Sequence, residues 1–110
     1  MLVVDDDESM RMLCRVNLEL EGYRVLEAET VELAIGHLDG QTVDIVLLDV
    51  HVGRGDGFSV LTYVNGERVA LFTGSLEVEQ HHRDQVDAVL TKPFTLAQLS
   101  RTVAELAAAR

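Results

Sequence analysis

The sequence predicts an α/β fold: a single (βα)5 unit with a doubly wound parallel sheet in strand order 2-1-3-4-5. Two observations carry this. Short aliphatic runs alternate with longer segments of helical period, and the runs are apolar on both faces, as strands covered on each side by helices must be. With 110 residues and 47% hydrophobic composition, the chain fits one compact domain, 1–110, with no effector domain in it.

The elements follow in order. The strands are expected at Leu2 to Val4, Tyr23 to Ala28, Asp44 to Asp49, Arg68 to Gly74 and Asp87 to Thr91. Between them, helices are expected at about Glu8 to Glu21, Thr30 to Leu38, Gly57 to Val64, Val78 to Asp84 and Thr95 to Ala109. Gly22 and Gly40 stand where helix C-caps would place them, Asn65-Gly66 is a turn signal, and Thr95 suits an N-cap. There is no repeat, low-complexity tract or linker. The first strand begins at Met1, which is abrupt and reads as a trimmed start.

Charge narrows the partners. The chain carries 19 acidic and 9 basic side chains, a net charge of −10, so its long-range field repels nucleic acid and anionic membrane. The one cysteine, Cys14, has no internal disulfide partner and reads as a small core residue. No apolar run approaches the roughly 20 residues of a membrane helix, and no signal peptide is apparent; the expected location is cytoplasmic.

In a doubly wound sheet, ligands sit beyond the carboxyl ends of the strands, where strand order reverses. Asp5 and Asp6 leave the first strand there and Asp49 leaves the third. Crowded anions repel one another unless a cation offsets them, and oxygen-only ligands with open positions suit Mg²⁺. Thr73 closes the fourth strand and Lys92 follows the fifth, a hydroxyl and an ammonium able to hold phosphoryl oxygens. Lys92 is also placed to pair with Asp49 at rest. The simpler role for Asp5 and Asp6 is capping of the first helix, although Asp7 suits pure capping better. His81-His82 reads as a solvated helix face, since adjacent helical residues point apart.

Together, "LVVDDDE", "DIVLLDVHVGRGDG", "LFTG" and "TKPF", in this order, resemble the receiver domain of two-component response regulators. The resemblance implies a flavodoxin-like fold and a phosphorelay role. Asp49 would be the phosphoacceptor, taking a phosphoryl group from a phosphohistidine of a histidine kinase or histidine phosphotransfer protein. Asp6 and Asp49 would ligate Mg²⁺ directly, Asp5 mainly through water, and His51 through its backbone carbonyl. Thr73 would hydrogen-bond the phosphate, Lys92 would pair with it, and the Lys92-Pro93 peptide would be cis. The domain would be a self-modifying switch, not an enzyme on an outside substrate. Its output would be partner or homodimer contacts on the fourth and fifth predicted helices.

Three features depart from that pattern. Gly53 replaces a usual proline in a Gly-Arg-Gly stretch expected to be more mobile, and the segment from Gly57 to Thr73 is short, implying a clipped third helix. Val89 stands where an aromatic rotamer switch is common, so any signal is expected to travel by backbone movement around Thr73 to Val78 and the fourth helix. The His51 side chain, two positions after the acceptor, could influence access of hydrolytic water. On the first helix, Met10, Leu13, Cys14 and Leu18 are expected to form the buried face, while Met12, Val16 and Leu20 form a second stripe. Two readings of that stripe stay open: a wide core arc, part of it under the last helix, or a docking strip for the kinase.

Other classes fit less well. A haloacid dehalogenase-like phosphatase wants a second Asp where His51 stands, and no phosphate-binding Gly-rich loop exists. The main alternative is a phosphorylation-independent interaction module.

Overall fold

The computed structural model describes residues 1–74 and 80–108, apart from the side chain of His81. Five parallel strands form one sheet: β1 (Leu2–Val4), β2 (Leu26–Ala28), β3 (Ile45–Asp49), β6 (Arg68–Thr73) and β7 (Ala88–Thr91). Their spatial order, β2-β1-β3-β6-β7, is the expected 2-1-3-4-5. A separate hairpin, β4 (His51–Val52) with β5 (Gly55–Asp56), follows β3 directly. The helices are α1 (Glu8–Leu20), α2 (Val31–Gly40), α3 (Gln80–Arg83) and α4 (Leu96–Ala108), with a 3-10 segment at Gly57–Tyr63. Val78 and Ala109, where two predicted helices start and end, lie outside the described residues. Among the described residues, no helix is long and apolar enough to cross a membrane.

Alternation along the strands divides the core in two. Val3, Ile45, Leu47, Ala70 and Phe72 pack with Cys14 and Leu18 of α1 and Leu99, Val103 and Leu106 of α4. Leu2, Val4, Val46, Leu48, Val69 and Leu71 pack with Ala34 of α2 and Val60 of the 3-10 segment. The central strands β1, β3 and β6 are thus buried on both faces, the physical reason their sequences read as apolar runs, whereas the edge strands β2 and β7 are only partly buried.

Several boundaries are set by caps. Gly22 adopts φ +98°, and the N–H groups of Gly22 and Tyr23 donate to the carbonyls of Glu19 and Leu18, closing α1 with a Schellman motif. Residues Tyr23 to Val25 are spent on that cap and the path out of it, so β2 starts at Leu26 and not at the expected Tyr23. Gly40 is not a left-handed cap; it is the last residue of α2, whose cap is the extended Gln41, with its N–H on the His37 carbonyl at 2.9 Å. Thr95 and Gln98 exchange hydrogen bonds of 3.0 and 2.8 Å at the start of α4, a capping box.

The third predicted helix is clipped, as its length implied, and wound as a 3-10 segment instead of an α-helix. Asp56 caps it, accepting from the Phe58 N–H at 2.9 Å. Gly53 and Arg54 of the Gly-Arg-Gly stretch form the turn of the hairpin, with Gly53 at φ +61° and Gly55 already in β5. Phe58 stacks on His82, ring centroids 3.6 Å apart and planes 4° from parallel, which ties the 3-10 segment to α3.

Gly57 sits where this segment turns back beneath the end of β3. Its N–H donates to the Val50 carbonyl at 2.8 Å, and a Cβ there would collide with the Asp49 and Val50 carbonyl oxygens. Gly57→Ala is therefore expected to cost about 2–3 kcal/mol by overpacking. Gly36→Ala in α2, where a Cβ meets no heavy atom within 4 Å, should instead gain about 0.5–1 kcal/mol from helix propensity. Urea unfolding of both variants checks the contrast.

Candidate functional site

The carboxyl ends of β1 and β3 are neighbours, with Val4 in register with Leu48. Asp5, Asp6 and Asp49 therefore emerge side by side, and one carboxylate oxygen from each lies within 4.8 Å of the others. Asp5 is fully buried and Asp49 nearly so, whereas Asp6 is exposed. Asp7 stands apart as the N-cap of α1, accepting from the N–H groups of Ser9 and Met10 at 2.9 and 3.4 Å.

Lys92 enters from the end of β7. Its Nζ lies 3.1 Å from Asp5 Oδ2 and 3.5 Å from Asp49 Oδ2, so it pairs with both carboxylates and not with Asp49 alone. Its backbone N–H donates to the Thr73 carbonyl at 2.7 Å, which fixes the two strand ends together. Thr73 is buried on the same edge. The Lys92-Pro93 peptide is cis, as the motif implied.

The other Asp5 oxygen, Oδ1, accepts from the Asp7 N–H at 2.9 Å. Both Asp5 oxygens are thus firmly held. Asp49 is less so: burial first, then the charge of Asp5, push its pKa up to about 6, against the opposing pull of Lys92 and of the His51 N–H that donates to it. For Lys92, burial disfavours the ammonium, but the hydrogen bond and charge of Asp5 and the charge of Asp49 outweigh it, and its pKa rises. Burial, and secondarily Asp5, push the Cys14 thiol up to about 12, consistent with an inert core residue.

These residues form an oxygen-only donor set around a site with more negative than positive charge. The residues fit a hard divalent cation that keeps several waters. His51 is exposed to solvent. A cleft of about 590 Å³, bordered by Tyr23, Gln41 and Asp44, lies at the opposite end of the sheet, away from these groups.

Two expectations for α1 need revision or completion. Leu13 is 40% exposed and does not belong to the buried face, because it lies about 100° round the helix from Cys14, which is fully buried. Met12, Val16 and Leu20 are 51%, 43% and 81% exposed, so α4 does not cover the stripe. Sequence reading also missed Arg11. Its Nη1 donates to the Asp5 carbonyl at 2.7 Å, and its Nε lies 3.3 Å from Glu27 Oε1 on β2. A basic residue early in an amphipathic helix gives no signal that separates it from a surface charge.

Comparison with known proteins gives a family and a fold. The model of the response regulator receiver domain family matches residues 1–104. The alkaline phosphatase synthesis transcriptional regulatory protein PhoP of Bacillus subtilis is 30% identical over 109 residues, covering 93% of this chain and 45% of that protein. The chain thus spans about half the length of this relative. Among solved structures, the signal receiver domain of a LuxO repressor protein of Vibrio parahaemolyticus aligns with a TM-score of 0.87 at 23% identity, over 96% of this chain and 86% of that one. A response regulator of Burkholderia pseudomallei, described with a phosphorylated aspartic acid and a calcium ion, aligns at 0.76 and 23% identity, over 99% of this chain and 73% of that one.

The raised pKa of Asp49 fixes the sign of a pH effect. Between the ordinary 3.8 and about 6, the folded protein binds a proton that the unfolded chain has released, so stability falls as pH rises through that window. Above it, the partly buried charge costs on the order of 1–2 kcal/mol once solvent screening is allowed for. Without divalent cations, Asp49→Asn is expected to raise the thermal midpoint by about 5 °C or more near pH 7.5, the gain disappearing near pH 4. Calorimetry at both pH values checks it.

Proposed function

The chain belongs to the response regulator receiver family, and from that premise we propose that it is a phosphoacceptor switch in which Asp49 takes a phosphoryl group from a phosphohistidine. Receiver domains are signal-switch domains that interact with histidine kinases; the residue roles are our reading. The observation that carries it is the meeting of three carboxylates from two strand ends within 4.8 Å, with Lys92 at 3.1 and 3.5 Å from two of them. On this reading, residues 1–110 are the receiver domain and the location is cytoplasmic.

Asp49 is the group raised in energy at rest, and above about pH 6 it is mostly the carboxylate, able to attack phosphorus. The P–N bond to the donor imidazole breaks as the Asp49 O–P bond forms, and the imidazole leaves with the bonding pair. Lys92 lies on the Asp49 oxygens already and moves onto the phosphoryl oxygens with little reorganisation. Thr73, at the end of the adjacent strand, donates its hydroxyl to the same oxygens. The carboxylates of Asp6 and Asp49, with Asp5 through water and the His51 backbone carbonyl, would hold Mg²⁺, which when bound supplies charge neutralisation to the transferring group.

The modified state then differs by its contacts at Thr73 and Lys92, and these contacts set how far phosphate shifts the equilibrium. Val89 on β7 is too short to swing into the site, so the change runs through the backbone beyond Thr73 toward α3; Val78 lies outside the described residues. The exposed stripe Met12, Val16 and Leu20 is the docking strip for the histidine kinase or phosphotransfer protein, and α3 with α4 offers the face for output or a homodimer.

Incubated with Mg²⁺ and acetyl phosphate, the wild type should gain the mass of one phosphoryl group, and Asp49→Asn none; intact-mass spectrometry decides. A wild type that stays unmodified by both acetyl phosphate and a phosphohistidine donor would favour the phosphorylation-independent module. Met12→Gln with Val16→Gln should leave the unfolding midpoint within about 0.5 kcal/mol of wild type. It should slow transfer from the cognate kinase at least several-fold without slowing acetyl phosphate, as seen by rapid-quench assay.

A further inference from the structure

Asp6 presents a puzzle of placement. It is exposed, so no packing holds its side chain, yet its carboxylate joins two buried ones within 4.8 Å. Its position must come from its backbone. The two peptide units that flank Asp6 are both tied down. In the Asp6–Asp7 unit, the Asp7 N–H donates to Asp5 Oδ1 at 2.9 Å. In the Asp5–Asp6 unit, the carbonyl of Asp5 accepts from Arg11 Nη1 at 2.7 Å. The N–H of Asp5 is held in turn by the Ala28 carbonyl at 3.1 Å.

Arg11 is itself anchored. Its side chain is only 11% exposed, and its Nε faces Glu27 Oε1 at 3.3 Å, while the other Glu27 oxygen meets Arg15 Nε at 2.9 Å. One guanidinium therefore bridges β2 to the Asp5–Asp6 peptide, using donors that point in different directions. A lysine offers one compact ammonium without the planar fork, so it does not match this pair of separately placed acceptors.

We infer that Arg11 is a positioning residue for the divalent cation: through the Asp5 carbonyl it fixes the Asp5–Asp6 peptide and so aims the exposed Asp6 carboxylate at the ion. This rests on the metal-binding reading above and adds a residue to it. Outer partners that orient ligands typically matter about 10–100-fold in metal affinity. The inference makes a prediction opposite in sign to simple electrostatics. Removing a positive charge near a cation site should tighten binding by Coulomb's law, whereas loss of positioning should weaken it.

The test is the Mg²⁺ dissociation constant of the full chain, measured by isothermal titration calorimetry at fixed ionic strength near pH 7, with wild type, Arg11→Gln, Arg11→Lys and Arg15→Gln. Arg11→Gln is expected to bind Mg²⁺ about 10-fold or more weakly. Arg11→Lys, with its charge kept and the fork lost, should fall between it and wild type. Arg15→Gln, which shares Glu27 without reaching Asp5, should bind at least as tightly as wild type. Equal or tighter binding by Arg11→Gln overturns the inference and leaves the metal reading standing; a wild type that binds no Mg²⁺ overturns both. Should Arg11→Gln fail to fold, Arg11→Lys decides alone, since at unchanged net charge only a loss of affinity agrees with positioning.

Discussion

Repulsion among three carboxylates held at the ends of two adjacent parallel strands governs the rest of the structure around them. Two like charges about 4 Å apart near a protein surface cost about 4 kcal/mol. One ammonium, Lys92, stands against three acids, and it is shared between Asp5 and Asp49. The remaining relief comes from oriented N–H groups: Asp7 donating to Asp5, and His51 donating to Asp49. Relief is unequal. Asp5 has both oxygens occupied, whereas burial first, and the charge of Asp5 second, leave Asp49 with a raised pKa. The group left least satisfied is the one proposed to form a new covalent bond, and that is where unspent electrostatic energy is chemically useful.

The fold supplies this crowding without softening. β1 and β3 are central, buried on both faces, and flanked by helices whose apolar faces fill both layers. Their carboxyl ends cannot drift apart without opening the core. On the far side of Asp49, the chain has no slack either: the hairpin turns at once, and Gly57 presses its backbone against the Asp49 and Val50 carbonyls. Asp49 is pinned by β3 before it and by Gly57 behind it. The first turn of α1 closes the third side through Arg11 and Asp7.

How much of this the sequence disclosed depended on the range of the interaction. The central strands β1, β3 and β6 were legible because each is buried on both faces and carries the continuous apolar signal of such burial, and the edge strands β2 and β7 by their place between helical segments. Asp5, Asp6, Asp49, Thr73 and Lys92 were legible as candidates because each marks the residue where an apolar run ends, and topology brings strand ends together. Shorter-range choices were less visible. Whether Gly40 ends a helix as a left-handed cap or as its last helical residue depends on where Gln41 can go. The 3-10 winding of Gly57–Tyr63 depends on the Asp49 carbonyl pressing on Gly57, a contact between positions eight apart. Leu13 was assigned to the core by spacing alone, although Cys14 and Leu18 already occupy the narrow line facing the sheet. Arg11 left no trace, because its partner is a main-chain carbonyl, and carbonyls are identical at every position.

The coupling between site and surface follows from where Lys92 is tied. Its side chain sits nearer Asp5 than Asp49, and its backbone N–H is bonded to the Thr73 carbonyl. A phosphoryl group on Asp49 would present new oxygens on the Asp49 side, drawing the ammonium that way while the Thr73 hydroxyl approaches from β6. One backbone hydrogen bond of 2.7 Å joins the two strand ends from which these side chains extend. Thr73 is also the last residue of β6, from which the chain leads on toward α3, and α3 is held to the 3-10 segment by the Phe58–His82 stack. Because the 3-10 segment begins at Gly57, packed on the Asp49 carbonyl, α3 is reached from Asp49 by a chain of backbone and ring contacts. That path involves no large side chain at Val89, which suits the proposed response without an aromatic switch.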